Sequence, residues 1–207
     1  MLLQNIIQQQ YLDYYLRNKS KTTDFQQHKQ KKNNMSTIDD IISRRSVKSY
    51  EEDRFPSRET MDKILKVATY SPTGMGKQSP IMICVYNKET RNLLSKLNAQ
   101  VLGSPIDPFY KAPVVVAVLA DTNRPTYLYD GSLVMANLML AAHSEGIGSC
   151  WIHRAKEVFK LEEGKQLLKE WGVADHYEGI AFCIMGYQKN EPKVRVDRKE
   201  DYIRIID

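Results

Sequence analysis

The sequence predicts one mixed α/β domain. Segments in which apolar residues recur at helical spacing alternate with short, β-branched apolar segments, and the 207 residues suffice for one hydrophobic core rather than two. The 42% hydrophobic and 27% charged residues are typical of a globular protein. No apolar run approaches the roughly 18 to 20 residues that a membrane-spanning helix needs, so a transmembrane class is excluded.

The first 34 residues differ in composition from the rest. They are rich in Gln, Asn and Lys, contain neither Gly nor Pro, and lack the cationic start and cleavage site of a secretory signal. We expect residues 1–34 to be a disordered leader or an artefact of start-site choice, and the domain to occupy residues 35–207. Ser36 is predicted to cap the domain's first helix, whose first turn carries Asp39 and Asp40.

Four further helices are predicted from apolar spacing and end signals. Their ranges are 57–70, capped by Ser57 and stopped by Ser71-Pro72; 89–102, ended by Gly103; 126–145; and about 156–171. The helix at 126–145 is apolar around most of its circumference, which predicts that it is buried at the centre of the fold or lies in a dimer seam.

Apolar, β-branched runs predict the strands. The runs at 81–86 and 114–120 are predicted to be central strands covered on both faces, and 149–152 and 177–187 complete the set. The tail, 188–207, is polar, basic and predicted to be irregular.

The charge distribution argues against a nucleic-acid partner. The net charge is +5, but residues 1–34 hold six Lys and Arg against two Asp, so the remainder carries 24 minus 23, or +1. A nearly neutral domain has no excess of cations with which to bind a long phosphate backbone. We therefore expect neither nucleic acid nor membrane as a partner.

Cysteines and histidines give no sign of a metal site or disulfide framework. The three cysteines, Cys84, Cys150 and Cys183, lack CxxC spacing, and the four histidines show no ligand spacing. We expect free thiols and no metal, which suits a reducing, cytoplasmic location. Cys150 and His153 do not form a nucleophile and base pair, because three residues apart on a strand they face opposite sides.

A cluster of cations follows the first predicted helix. Arg44, Arg45 and Lys48 surround Ser46 within five residues. Arginine offers a planar fork of donors to phosphate oxygens, and lysine offers a compact charge. Cations near a helix C-terminus also complement its dipole, and this alternative stays open at this point.

Two glycine-bearing connections are candidates for a close approach to a ligand. One is Thr73-Gly74-Met75-Gly76-Lys77-Gln78, which lies between a helix and a strand, and its alternative is an ordinary loop. The other contains Gly146 and Gly148, and its alternative is a helix C-cap. The sequence thus has cations suited to a phosphate and glycine-bearing loops, but no recognisable set of catalytic side chains. This combination indicates that a cofactor supplies the chemistry.

In this order, these segments resemble the nitroreductase family of FMN-dependent oxidoreductases. The resemblance spans about Ile38 to Ile205, and its motifs are RRSVKSY, SPTGMGKQSP, DGSLVMANLMLAA, EGIGSCWI and GYQKNEP followed by KVRVDRK. It implies an α+β fold with a central mixed or antiparallel sheet flanked by helices. It also implies an intertwined homodimer with FMN across the interface, and NADH or NADPH as electron donor to a small-molecule acceptor such as a nitro compound or quinone.

The resemblance also implies a set of cofactor-binding residues. Those proposed for the FMN phosphate, ribityl chain and pyrimidine edge are Arg44, Arg45, Ser46 and Lys48, joined by Arg198 and Lys199 of the tail. Those proposed for the ring and ribityl chain are Thr73, Gly74, Gly76, Lys77 and Gln78, and the segment after Gly148, namely Trp151, Ile152 and His153, is placed near flavin N5. Many relatives have Asn where this chain has Gly76. The tail offers four other candidate phosphate cations.

No catalytic side chain is predicted, because the flavin would carry the reaction. An aromatic-lined entrance to the acceptor pocket is suggested by Phe109, Tyr110 and the residues near Tyr127. Three alternatives stay open: dehalogenation or flavin consumption on the same scaffold, and a non-catalytic flavin-binding dimer. The motifs separate neither these reactions nor the physiological acceptor nor the nicotinamide preference.

Overall fold

The structure is a computed structural model that describes residues 36–206. They fall into two compact units, one ending at Ser43 and one beginning at Arg44, and each is described by itself. The predicted leader, residues 1–34, lies outside the described part. In the first unit, helix α1 (Thr37–Ser43) is capped as predicted, since the Asp39 amide donates to Ser36 Oγ at 3.2 Å and the Ser36 hydroxyl donates to Asp39 Oδ2 at 2.9 Å.

The second unit contains helices, strands and two short 3₁₀ turns. In chain order they are α2 (Arg58–Ala68), a 3₁₀ turn (Gly74–Gly76), β1 (Pro80–Val85), α3 (Lys88–Leu102), β2 (Val114–Asp121), α4 (Tyr127–Ser144), β3 (Gly148–Ile152), α5 (Ala155–Val158), α6 (Glu162–Glu170), β4 (Tyr177–Gly186) and a 3₁₀ turn (Glu200–Tyr202). Helices α2 and α3 begin at side-chain caps, Ser57 Oγ accepting from Thr60 N at 3.1 Å and Asn87 Oδ1 from Thr90 N at 2.8 Å. Helix α3 ends at Gly103 in the left-handed conformation, as predicted.

The strands form one antiparallel sheet in the order β1-β2-β4-β3. With helices on both of its faces, this sheet confirms the predicted α+β class. Strand β2 is central as predicted, but β1 is an edge strand, and of its residues only Val85 is buried. The prediction of a central β1 was wrong because an apolar run does not reveal how many neighbours a strand has.

Both faces of the sheet are covered. Alternate residues of β2 face opposite cores: Val115 and Ala117 pack toward α3 and α5, whereas Val116 and Val118 pack toward α2 and α4. Helix α4 contacts all four strands and so runs across the whole sheet. The described residues contain no helix long and apolar enough to cross a membrane.

One prediction about the helices was wrong. The predicted helix at 156–171 is two helices, because Leu161, the N-cap residue of α6, is extended; a Cβ on Gly164 would lie 2.1 Å from the Val158 carbonyl oxygen, so α6 packs directly on the end of α5. Helix α4 is buried on one side only, so it is not fully buried within one chain, and its alternative place in a dimer seam stays a prediction. Its other side exposes Leu128, Tyr129 and Leu133, which are 50%, 70% and 43% exposed.

Candidate cofactor site

The predicted cation cluster lies along the edge of the sheet beside β3. Ser46 forms a parallel bridge with Ser149, and the Val47 amide donates to the Ser149 carbonyl oxygen at 3.0 Å. Val47 is buried and packs so closely that a Cβ on Gly148 would lie 3.0 Å from it. Because neighbouring side chains point to opposite sides of an extended chain, Ser46 and Lys48 are left exposed on either side of this anchor.

The C-terminal tail returns to the same cluster through Arg195. The Arg195 guanidinium donates to the Arg44 carbonyl oxygen at 3.2 Å, and Arg45 Nη2 donates to the Lys193 carbonyl oxygen at 2.5 Å. These two crossed hydrogen bonds join segments about 150 residues apart in the chain. Arg44, Arg45 and Arg195 are thereby brought together in one chain, and their binding of a phosphate stays a prediction.

The tail cations predicted for the phosphate, Arg198 and Lys199, do not reach the cluster in this structure. Arg198 donates to the nearby Val196 carbonyl oxygen at 3.3 Å, and Lys199 pairs with Asp201 at 3.6 Å. Both side chains are exposed, whereas Arg195 is half-buried. The structure thus favours Arg195 over the two predicted residues. Spacing alone could not distinguish among the six cations of the tail.

Two buried polar atoms at this edge have no hydrogen-bond partner among the described residues. They are Arg44 Nη1 and Ser149 Oγ, one in each of the two segments that the Ser46–Ser149 bridge joins. Buried guanidinium and hydroxyl groups are nearly always paired in folded proteins, because an unpaired one costs about 1–3 kcal/mol. An anionic ligand with several acceptor oxygens would satisfy Arg44, and so the residues present fit a phosphate group. Ser149 was not among the predicted site residues, since nothing in its sequence position signals a missing partner.

Lys48 lies at the same edge beside an aromatic ring. Its Nζ atom is 5.6 Å from the centroid of the Tyr110 ring, within the range of a cation–π interaction. Tyr110 and Lys111 both have positive φ, at 49° and 61°. Phe109, by contrast, is fully buried against Phe182 and does not line an entrance.

Cys150 lies buried at this edge. Burial raises the pKa of its thiol, and this effect outweighs the Ser46 hydroxyl and the nearby Lys48 and Arg44 charges, which act to lower it. The three cysteines are free thiols, as predicted. A buried thiol with a raised pKa is a weaker nucleophile than an exposed one.

The glycine loop before β1 is fixed to the first turn of α4. The Gly74 amide donates to Asp130 Oδ1 at 3.0 Å, the Gln78 amide to Thr73 Oγ1 at 3.0 Å, and a Cβ on Gly74 would lie 2.2 Å from Thr126 Oγ1. Positive φ values recur along the loop, at Met75 (52°), Gly76 (65°) and Gln78 (49°). Lys77 and Gln78 are exposed at its tip, available to a ligand.

The segment after β3 is held by a buried side chain that the sequence did not reveal. Asn98 of α3 is fully buried; its Nδ2 donates to the His153 carbonyl oxygen at 2.8 Å and its Oδ1 accepts from Arg154 Nε at 3.2 Å. Arg154 adopts the left-handed conformation, with φ 78°. Trp151 is half-buried, Ile152 buried and His153 exposed, so His153 is the most accessible of these three predicted residues.

The two predicted contact regions lie at opposite corners of the sheet. Ser149 pairs with Met185, which pairs with Val114, whereas Pro80, after the glycine loop, pairs with Ala120. Three strand spacings across and six residues along the strands place the corners about 25 Å apart. Helix α4 covers the sheet between them.

A groove of about 710 Å³ lies between α3 and the segment before β2. None of the predicted site residues lines it. Two ion pairs occupy its wall: Arg91 with Asp107 at 2.9 Å, and Lys111 with Glu52 at 2.8 Å. Because these charges satisfy one another, the unpaired Arg44 nitrogen is the better indicator of a ligand site than the size of this groove.

Comparison with known proteins agrees with this fold. The family model for the Nitroreductase family matches residues 41–187, more than half of the chain. Two curated proteins, each named "Putative NADH dehydrogenase/NAD(P)H nitroreductase", are similar in sequence. The one from Archaeoglobus fulgidus is 32% identical over 73% of this chain and 84% of its own length. The one from Methanothermobacter thermautotrophicus is 26% identical over 78% of this chain and 82% of its own length.

Solved structures share the fold. A nitroreductase with bound FMN from Bacteroides fragilis has a TM-score of 0.76 and 23% identity, covering 84% of this chain and all of that one. An FMN-dependent nitroreductase from Clostridium difficile has a TM-score of 0.66 and 28% identity, covering 80% and 95%. An iodotyrosine deiodinase bound to FMN and 3-iodo-L-tyrosine has a TM-score of 0.67 and 20% identity, covering 82% and 98%.

The fold and the family match together define the class. This chain belongs to the nitroreductase family.

Proposed function

We propose that this protein is an FMN-dependent oxidoreductase that passes a hydride from NADH or NADPH to a nitro compound, quinone or similar small acceptor. The observation that carries the proposal is the buried Arg44 Nη1 atom, which has no hydrogen-bond partner in the described part of the chain and lies in a cluster completed by Arg45 and Arg195. A dianionic phosphate suits this cluster, because charge-assisted hydrogen bonds to arginine are about twice as strong as neutral ones.

When bound, FMN would supply the redox chemistry, and the residues of this chain would bind and orient it. Lys48, held beside Tyr110, brings a positive charge to the edge at which the resemblance places the pyrimidine ring. A positive charge there favours the reduced, more negative flavin. Asn98 fixes the backbone around His153, which the resemblance places near N5.

We further propose that two chains build each site. The cation cluster and the glycine loop are about 25 Å apart at opposite corners of a covered sheet, so one flavin does not reach both within one chain. A second chain would bring its own loop to the cluster. The apolar residues Leu128, Tyr129 and Leu133 on the open side of α4 provide a surface for that partner, since exposed apolar patches mark interfaces. Free thiols and nearly neutral charge fit the cytoplasm and a small-molecule substrate.

The experiment is a flavin and electron-donor assay on the purified full chain. After incubation with FMN and gel filtration, the protein should retain flavin absorbance, and anaerobic NADH or NADPH should bleach it. Steady-state plots with a nitroaromatic or quinone acceptor should give parallel lines, because donor and acceptor would use one pocket in turn. A protein that stays colourless, or whose flavin neither nicotinamide reduces, would overturn the proposal. Adding a halogenated phenol to the acceptor panel distinguishes dehalogenation.

A further inference from the structure

Asp130 is a buried carboxylate in the first turn of α4 that no binding or catalytic role yet explains. It is 2% exposed, and the described residues place no lysine or arginine within ion-pair distance of it. Burying an unpaired carboxylate is costly unless hydrogen bonds satisfy it. The start of α4, where the helix dipole favours negative charge, offsets part of that cost.

Its hydrogen bonds hold both ends of the glycine loop. Asp130 Oδ1 accepts from the Gly74 amide at 3.0 Å, and Oδ2 accepts from the Ser79 hydroxyl at 2.7 Å and the Thr126 hydroxyl at 3.1 Å. Gly74 and Ser79 flank the four residues 75–78. One carboxylate therefore ties the two ends of this stretch to each other and to α4.

Residues 75–78 would not keep their backbone conformation without these hydrogen bonds. Two of the non-glycine residues, Met75 and Gln78, have positive φ, a conformation that costs L-residues energy and persists only when surrounding contacts impose it. The close packing of Gly74 against Thr126 leaves no room for a side chain, so the loop backbone rests directly on α4.

We propose that Asp130 is a positioning residue that fixes the glycine loop so that Lys77 and Gln78 face the flavin ring. This inference rests on the proposed function, since Lys77 matters only if a flavin binds. Asp130 itself touches neither flavin nor substrate in this scheme. Its effect on the reaction would pass through the position of the Lys77 charge.

The sign of the change in flavin midpoint potential tests this role. If Asp130 acted on the flavin only through its charge, Asp130→Asn would remove a negative charge and raise the potential. If it positions Lys77, Asp130→Asn releases the loop, withdraws a positive charge from the ring, and lowers the potential. Lys77→Gln should lower the midpoint potential in the same way. The double variant should have the same midpoint potential as Lys77→Gln alone.

Two controls separate positioning from general destabilisation. Leu167→Ala removes a buried apolar side chain of α6, in the core on the other face of the sheet, and should leave the potential unchanged although it lowers stability. Gly74→Ala displaces the loop without changing any charge, because the new Cβ would lie 2.2 Å from Thr126 Oγ1, and should lower the potential like Asp130→Asn. If Asp130→Asn does not fold, Ser79→Ala carries the test: it removes the Ser79–Asp130 hydrogen bond without changing a charge and should also lower the potential, and an unchanged potential would overturn the inference.

We expect Asp130→Asn to slow anaerobic reduction by NADH about tenfold, the equivalent of one lost charge-assisted contact, while FMN affinity changes less than in Arg44→Ala. An unchanged or raised potential, or effects of Asp130→Asn and Lys77→Gln that add, would overturn the inference. A wild-type protein that binds no FMN would instead overturn the proposed function, so the two failures are distinguishable.

Discussion

Among single side chains, Arg44 carries most of the functional argument. Its carbonyl oxygen accepts from Arg195, while one of its guanidinium nitrogens is buried and finds no acceptor within residues 36–206. Folded proteins rarely leave such a group unpaired, and those that do commonly use it for a ligand. Spacing alone left a helix-dipole role open for these cations; the unpaired nitrogen favours a ligand instead.

The first prediction concerns this guanidinium. Arg44→Ala should weaken FMN binding about 10- to 100-fold, because it removes charge-assisted hydrogen bonds worth roughly 1.5–3 kcal/mol. Fluorescence titration of the apoprotein with FMN measures the dissociation constant. Arg54→Ala is the matched control, since Arg54 pairs with Glu51 on the surface and stacks on Tyr187, and its FMN affinity should equal that of the wild type. Equal affinity in Arg44→Ala would contradict the phosphate assignment.

A second prediction distinguishes the tail cations. Arg195→Ala should weaken FMN binding about tenfold, because Arg195 contacts the cluster, whereas Arg198→Ala should change it less than threefold. The same titration, repeated with free phosphate as competitor, reports the phosphate subsite. A larger loss of FMN affinity in Arg198→Ala than in Arg195→Ala would identify Arg198 as the phosphate-binding cation. It would also indicate that the tail rearranges on binding.

At the scale of elements, Asp107 ties the loop before β2 to α3. It accepts from the Ser95 hydroxyl, from Arg91 Nη2 at 2.9 Å and from the Phe109 amide at 2.8 Å. Burial acts to raise the pKa of Asp107, but these hydrogen bonds together lower it below its usual value of 3.8. Arg91 in turn donates to the Ala112 carbonyl oxygen at 3.0 Å, which anchors the start of β2.

The third prediction follows from this network. Asp107→Ala should lower the free energy of unfolding by about 3 kcal/mol, because it leaves the buried Arg91 without its partner. Urea unfolding followed by circular dichroism measures the loss. Asp53→Ala, an exposed aspartate on the same groove, is the control and should stay within about 0.5 kcal/mol of the wild type.

The pH dependence has a definite sign. Since the folded pKa of Asp107 is depressed, its stabilisation is fully present above the unfolded value near 3.8 and is lost as the pH falls through the lower folded value. The difference between wild type and Asp107→Ala should therefore be constant from about pH 5 upward and shrink in more acidic solution. A difference that instead grew on acidification would contradict the assigned network.

At the scale of the whole molecule, the corner arrangement argues for two chains per site. The cation cluster lies beside β3 and the glycine loop precedes β1. Helix α4 covers the sheet between them. Each chain would then contribute its cluster to one flavin and its loop to the other. A substitution in the cluster of one chain and a substitution in the loop of the other chain should consequently affect the same site.

The fourth prediction uses mixed dimers made by co-expressing two differently tagged chains. If one chain carries Arg44→Ala and the other Lys77→Gln, one site collects both defects and the other is wild type in composition. The isolated mixed dimer should retain one normal flavin per two chains, with a wild-type rate of reduction. Dimers in which a single chain carries both changes should give two singly impaired sites and no normal flavin. The reverse pattern would show that each chain builds its own site.

The amino-acid sequence by itself determined the helix caps at Ser36 and Ser57, the end of α3 at Gly103, the central β2 and the cation cluster at residues 44–48, because these depend on local spacing and residue chemistry. Tertiary structure alone decided which tail cation meets Arg44, that β1 is an edge strand, and that Asn98 and Asp130 hold the two segments next to the site. These features join residues tens of positions apart. Their partners are fixed by packing in three dimensions, which no local pattern encodes.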